Sequence, residues 1–304
     1  MKLHRNSRVR LLGLAIALPL LFVACGSDTQ TAADSTGATS TKLVVGSQDY
    51  YSNEILAEIY AQALEKNGYT VDRQFRIGQR EVYLPEITNG KIDVFPEYIG
   101  SLLQTYDAKA NPRSTNEAFS KLTAELPSGL SALTPSTASD QNSWTVTRAF
   151  AEKNDLSTIE SLKKVKDSIV VGGNSELETR PYGPKSLEDR YGIKVSGFKA
   201  VEDSGGPLTV KALTSGDIQL ANIYTADPNI ETNDLVTLDD PDGLFLPDNI
   251  APLVSARVDD RAREILNKVS GELTQEDFVG LNAESVNAKT AAKAIAATWL
   301  AAHP

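Results

Sequence analysis

The apolar positions of this chain change period many times, and each change marks an element. Residues 42–46 (KLVVG) form a short apolar run closed by glycine, the pattern of a buried strand. Ser52 and Asn53 then offer helix caps. Ile55, Leu56, Ile59, Tyr60, Ala63 and Leu64 follow at helical spacing until Asn67-Gly68 stops them. Residues 69–77 return to a strand. The alternation continues with a helix over 81–89, a strand over 92–95, a turn over 96–98, helices over 99–106 and 117–125, and strands over 130–133 and 143–147.

A second block begins near Arg148. The spacing predicts a helix over 158–165, a strand over 168–172, helices over 187–191 and 207–213, and a strand over 218–224; Pro207 suits a first helical turn. Beyond Asp227 the chain returns to strands near 235–238 and 250–254. Two helices, 261–273 and 288–302, close it. Strands alternating with helices predict parallel sheets in an α/β protein. Such sheets bind ligands beyond the carboxyl ends of their strands. The loops to search are therefore 47–51, 96–101, 172–180 and 224–227.

The amino end changes the picture. Lys2, Arg5, Arg8 and Arg10 precede an almost wholly apolar run over 11–24, the layout of a secretion signal and too short for a membrane span of about 20 residues. The run ends in Phe22-Val23-Ala24-Cys25 and resembles the lipobox of bacterial lipoproteins, with Phe22 where leucine is usual. That resemblance implies cleavage after residue 24 and acylation of Cys25, the chain's one cysteine. An ordinary secretory peptide or an uncleaved anchor would equally place the remainder outside the cytoplasm. Residues 26–41 are Ser, Thr, Ala, Gly, Asp and Gln, with no large apolar side chain, and read as a flexible tether. A lipid anchor on a tether places the body at the extracytoplasmic face of a cell membrane.

Charge and missing chemistry exclude several classes. The chain carries -10, and removing the basic signal leaves -14. That acidity argues against nucleic acid and against polybasic docking on a membrane. The two histidines, His4 and His303, lie at the ends. Ser-His-Asp and Cys-His catalysis and most zinc sites are thereby removed. There is no nucleophile elbow, phosphate loop or dinucleotide fingerprint. Asp93 with Glu97, or Asp239 with Asp240 and Asp242, match no known ligand spacing and read as solvated loop acids. No cofactor or metal is called for, and the chain is expected not to be an enzyme.

Several segments together resemble one family. KLVVGSQDYYSNEILAEIY (42–60), IDVFPEYIGS (92–101), ETRP (178–181), ANIYTAD (221–227) and Leu281-Asn282-Ala283 are similar to the substrate-binding proteins of osmoprotectant ABC importers, those for glycine betaine, choline and carnitine. The resemblance spans essentially residues 42–304. It implies a type II periplasmic-binding-protein fold, in which two α/β lobes joined by two crossovers hold the ligand between them and close by a hinge. The crossovers are expected near 140–145 and 224–228. Residues 42–141 and 228–304 would then form lobe 1 and 142–227 lobe 2. The expected function is a monomeric receptor that hands a small quaternary-ammonium or zwitterionic solute to membrane permease subunits.

The resemblance also implies site residues. Tyr98 and Tyr224 match cage tyrosines, Arg180 an arginine for a ligand carboxylate, and Ser101 a donor to the same group. A quaternary ammonium has no N–H, so aromatic faces hold it, at about 0.5–2 kcal/mol each. A carboxylate wants the arginine fork. Gln48 stands where the family often has lysine. Two further cage positions fall on Ser143 and Val210, so the cage is expected to shrink from four tyrosines to two, with Tyr51 or Trp144 as substitutes. Asn142, beside Asp140 and Gln141, adds hydrogen-bonding groups at the crossover. These departures favour a more polar or larger solute than betaine. A same-fold receptor for another solute, such as an aromatic or sulfur-containing zwitterion, an extracytoplasmic enzyme and an envelope scaffold are the alternatives.

Overall fold

The computed structural model describes residues 42–303. The signal segment, Cys25 and the tether lie outside the described residues. The first stretch runs β1 (Lys42–Gly46), α1 (Tyr51–Lys66), β2 (Thr70–Gln74), α2 (Arg80–Thr88), β3 (Val94–Tyr98), α3 (Ile99–Tyr106), α4 (Thr115–Glu125) and β4 (Leu130–Ala132). The second runs β5 (Asn142–Thr147), α5 (Arg148–Asn154), β6 (Val170–Gly173), α6 (Pro184–Tyr191), β7 (Gly197–Ala200), α7 (Pro207–Thr214), β8 (Leu220–Tyr224), α8 (Asn229–Thr232) and β9 (Leu235–Thr237). The chain then forms β10 (Ile250–Ser255), α9 (Asp260–Glu272), α10 (Gln275–Val286) and α11 (Ala292–Ala302).

The strands make two five-stranded sheets, ordered β2-β1-β3-β10-β4 and β7-β6-β8-β5-β9. Each is mixed where alternation predicted parallel pairing. β2, β1 and β3 are parallel, and so are β7, β6 and β8, but β10 runs antiparallel to β3 and β5 antiparallel to β8. The reason is the entry point. Parallel strands end at the edge where the sheets meet, and a strand arriving from the other lobe must start there: Ile250 pairs with Tyr98, and Asn142 with Tyr224.

The second crossover lies later than expected. β9 pairs with β5 in the second sheet, and Leu238, Leu244 and Phe245 pack in that lobe's core, whereas Leu246 packs in the first lobe's. The chain therefore returns between Phe245 and Asp248, not at 224–228. The two crossovers run side by side: the Gln141 amide donates to the Phe245 and Leu246 carbonyls at 3.2 and 2.8 Å.

Four elements escaped the periodicity. β7 and α8 are only four residues each. α5 and α10 are short but capped, by Thr147 and by a Thr274–Asp277 capping box. The segment read as a helix over 158–165 is a 3₁₀ turn, Glu160–Lys164. Asp93 is no solvated loop acid. It is buried and accepts from the Val44 amide and the Ser255 hydroxyl, both at 2.9 Å, so it ties β1 and β10 to β3. Among the described residues no helix is long and apolar enough to cross a membrane.

Candidate functional site

The strand ends of the two sheets face each other across a narrow cleft, whose empty space counted out to its open mouth is about 520 Å³. From the first lobe come Gln48 and Tyr50 of the β1–α1 loop, Gln79 and Arg80 at the start of α2, and Tyr98 and Ser101 around the β3–α3 junction. The crossovers add Asp140, Asn142 and Asp248. The second lobe adds Glu176, Arg180 and Tyr182 after β6, Ser204 and Gly205 after β7, and Tyr224 at the end of β8.

The Pro96–Ser101 motif folds this way for identifiable reasons. Glu97, buried on β3, accepts from Arg80 Nε at 3.0 Å, Arg80 Nη2 at 2.9 Å, the Tyr83 hydroxyl at 2.5 Å and the Tyr98 amide at 2.9 Å. It thereby fixes α2 against β3 and compensates a buried guanidinium. Gly100 is required by close approach. A Cβ there would stand 2.5 Å from the Pro247 carbonyl oxygen of the second crossover. Asp248 on that crossover accepts from the Gly100 and Ser101 amides at 2.8 and 2.9 Å and from the Ser101 hydroxyl at 2.5 Å.

Four tyrosines line the cleft: Tyr50, Tyr98, Tyr182 and Tyr224. Tyr50 and Tyr224, one from each lobe, stack with centroids 5.4 Å apart and planes at 27°. Tyr98 is buried, and among the described residues no group meets its hydroxyl in good hydrogen-bond geometry. Burial pushes the phenols of Tyr50, Tyr98 and Tyr224 well above their ordinary range, so these rings are neutral. Four tyrosines thus line the cleft where two were expected. The additional rings come from Tyr50 and Tyr182 rather than from positions 143 and 210. Ser143 instead donates to the Ile223 carbonyl at 2.6 Å, and Val210 packs in an apolar cluster.

Tyr51 is not a lining residue. Its hydroxyl donates to Asp227 Oδ2 at 3.2 Å. Tyr50 is the extended residue before α1, and the turn into the helix sends the two neighbours in different directions. Trp144 is fully buried in the second lobe's core. Gln48, Ser101, Asn142, Arg180, Tyr98 and Tyr224 all reach the cleft, as do Arg80, Asp140, Glu176 and Asp248, which sequence reasoning did not select as site residues.

Charge in the cleft is mostly spoken for or acidic. Arg80 is paired with Glu97. Arg180 Nη1 and Nη2 meet Glu81 of α2, across the cleft, at 2.5 and 3.1 Å. Asp140 accepts from the Ala226 amide at 3.0 Å and the Ser52 hydroxyl at 3.3 Å, and among the described residues neither Asp140 nor Asp248 has a salt bridge. Burial raises both carboxyls, Asp140 to about 8 and Asp248 to about 6, and raises Glu176 as well.

Two α/β lobes, two adjacent crossovers and an aromatic, acid-lined cleft define the class: a two-lobed solute receptor. The profile of the family described as the substrate binding domain of the ABC-type glycine betaine transport system matches residues 41–302, and the chain belongs to that family. The family comprises extracytoplasmic substrate-binding proteins of ABC importers. The chain is 28% identical over 302 residues to the glycine betaine-binding protein YehZ of Escherichia coli K12, covering 93% of this chain and 98% of that one. It is 22% identical to the ergothioneine transport permease/ergothioneine binding protein EgtU of Helicobacter pylori, covering 85% of this chain but only 47% of that longer protein. Among solved structures it is similar to a glycine betaine/carnitine/choline ABC transporter component (TM-score 0.69, 18% identity, 87% and 98% covered). It is also similar to a choline-binding protein in complex with choline (TM-score 0.63, 15% identity, 85% and 87% covered). These likenesses establish the type II periplasmic-binding-protein fold.

Proposed function

We propose that the cleft captures a small quaternary-ammonium solute of the glycine betaine and choline class and delivers it to a membrane permease. The observation that carries the reading is the convergence of Tyr50, Tyr98, Tyr182 and Tyr224 on one cleft between the lobes. Neutral aromatic faces attract a cation that cannot donate hydrogen bonds, and desolvation between two lobes strengthens each contact. Asp248, ionised at neutral pH, adds attraction for positive charge, and a bound cation would favour ionisation of Asp140 as well. YehZ and the choline-binding protein, by name, bind ligands of this class.

Acylation of Cys25 and the tether after it would hold the receptor beside its permease at high effective concentration. Cys25→Ser would then release a protein that still binds solute and supports uptake poorly. Calorimetry against glycine betaine, choline, carnitine and ergothioneine tests the ligand class. Micromolar binding of one of the first three, weakened at least tenfold by Tyr98→Ala, is the expected result. Binding of none of them by the native chain would reject it.

A further inference from the structure

Glu81 is a residue of α2 that does not line the cleft, yet it faces an arginine that does. Its carboxylate takes both terminal nitrogens of Arg180, the one lining arginine not held inside its own lobe. Arg80 is already bidentate on Glu97. Beyond these pairs the lining holds three acids, Asp140, Glu176 and Asp248, and no lysine. A ligand carboxylate would enter a wall in which each guanidinium already holds a carboxylate and the remaining ionisable groups are acids, none of them a counter-charge for it. A ligand that is only a cation meets no such conflict. A bidentate fork is what distinguishes a carboxylate from other polar groups, and pairing the guanidinium within the protein weakens that recognition by neutralising its charge and taking one of its forked edges.

From this geometry we infer that Glu81 is a specificity-determining residue: by holding Arg180 across the cleft, it favours carboxylate-free quaternary-ammonium cations over zwitterions. The inference rests on the quaternary-ammonium reading above. Glu81 and Arg180 also bridge the two lobes, so weakening the pair loosens closure on every ligand alike. A ratio of affinities separates the two effects. The Tyr51–Asp227 hydrogen bond is an uncharged-donor contact outside the lining, and its removal is the control for a ligand-independent loss.

The experiment measures choline and glycine betaine dissociation constants by calorimetry for the native chain, Glu81→Gln and Tyr51→Phe. The native chain is expected to bind choline more tightly. In Glu81→Gln the preference should move toward glycine betaine by about 1.4-fold to fivefold, the range for a charge pair with one partner half in water. Tyr51→Phe should weaken both ligands by the same factor. A native preference for glycine betaine, or an unchanged ratio in Glu81→Gln, overturns the inference and leaves the ligand class standing. Failure of the native chain to bind either ligand overturns this inference, and failure on carnitine as well overturns the ligand class itself.

Discussion

The two walls of the cleft are built to different standards of rigidity. The first lobe's wall is a buried, closed network: Glu97 with Arg80 and Tyr83, and Asp248 with Gly100 and Ser101. Arg80 and Glu97 are 8% and 2% exposed at the side chain. The second lobe's wall is carried by a 3₁₀ turn, Ser175–Thr179, and by the loop at Gly205, whose φ of +81° suits glycine. Its arginine pairs with a carboxylate that is 56% exposed. The same chemical pair thus serves two ends. Where both partners are buried in one lobe, it fixes the platform on which the aromatic rings stand. Where one partner is wet and the pair spans lobes, it can part when the hinge opens.

The largest expected effect follows from that contrast. Glu97→Ala would strand Arg80 as a buried, uncompensated charge and should cost about 3–5 kcal/mol of stability. Glu81→Ala at the other pair should cost less than about 1 kcal/mol, because solvent screens it. Urea denaturation of the two variants measures both. Equal losses would erase the distinction between the walls.

The pH dependence is the next largest. Asp140 and Asp248 titrate in the folded protein near 8 and near 6, above the ordinary 3.8, because burial penalises their charge. At Asp140 burial outweighs the hydrogen bonds from the Ala226 amide and the Ser52 hydroxyl, which favour the charged form, while the acids Asp227 and Asp248 oppose it further. The folded chain therefore holds protons that the unfolded chain has lost between about pH 4 and 8. Stability of the ligand-free protein should fall as pH rises through that window and level off above 8. A bound cation favours the ionised carboxyls, so affinity should move the other way, rising by up to about tenfold per pH unit between about 6 and 8. Thermal melts and calorimetry across pH 5–9 check the opposed slopes. Parallel slopes would mean that the cation does not approach these acids.

The legible and illegible parts of the site divide along the same line. The 92–101 motif could be placed at a strand end, because an apolar run, a proline and a glycine punctuate it. Loops 47–51, 172–180 and 224–227 likewise sit at strand ends and reach the cleft. What could not be read was direction. Tyr50 and Tyr51 are adjacent and chemically identical. Only the helix starting at Tyr51 decides which one faces the cleft, and the apparent caps at Ser52 and Asn53 pointed to a later start. Tyr182 follows a 3₁₀ turn that has no periodic signature. Arg80 and Asp248 matter through partners many residues away, Glu97 and Ser101, and such pairings leave no local mark. The crossover was misplaced because β9 is three residues long, and its membership of the second sheet is a matter of pairing with β5.

The aromatic floor offers a sharper test of the first wall against the second. Tyr224 is half-buried at the end of β8 and stacks on Tyr50 of the other lobe. Tyr224→Ala removes one ring face and should weaken choline binding by about 0.5–2 kcal/mol, roughly twofold to thirtyfold. Tyr224→Phe keeps the face and should retain most of the affinity. Similar losses in both variants would assign the effect to the hydroxyl and sink the cation–π account.

The smallest effect belongs to Tyr51, which the structure moves from the cage to the lobe boundary. Its hydroxyl donates to Asp227, a buried carboxylate whose other oxygen accepts from the Asn229 amide at 2.7 Å. Tyr51→Phe keeps the ring's packing and deletes one donor. The carboxylate retains a partner, so the cost should be about 0.5–1.5 kcal/mol. Were Tyr51 a cage member, the same change would leave the ring face and hence the affinity almost untouched, while Tyr51→Ala would weaken binding by about twofold to thirtyfold. At the boundary both substitutions should lower the affinity for every ligand by one common factor. Binding curves of the two variants against choline and glycine betaine therefore distinguish a contact that closes the lobes from one that touches the solute.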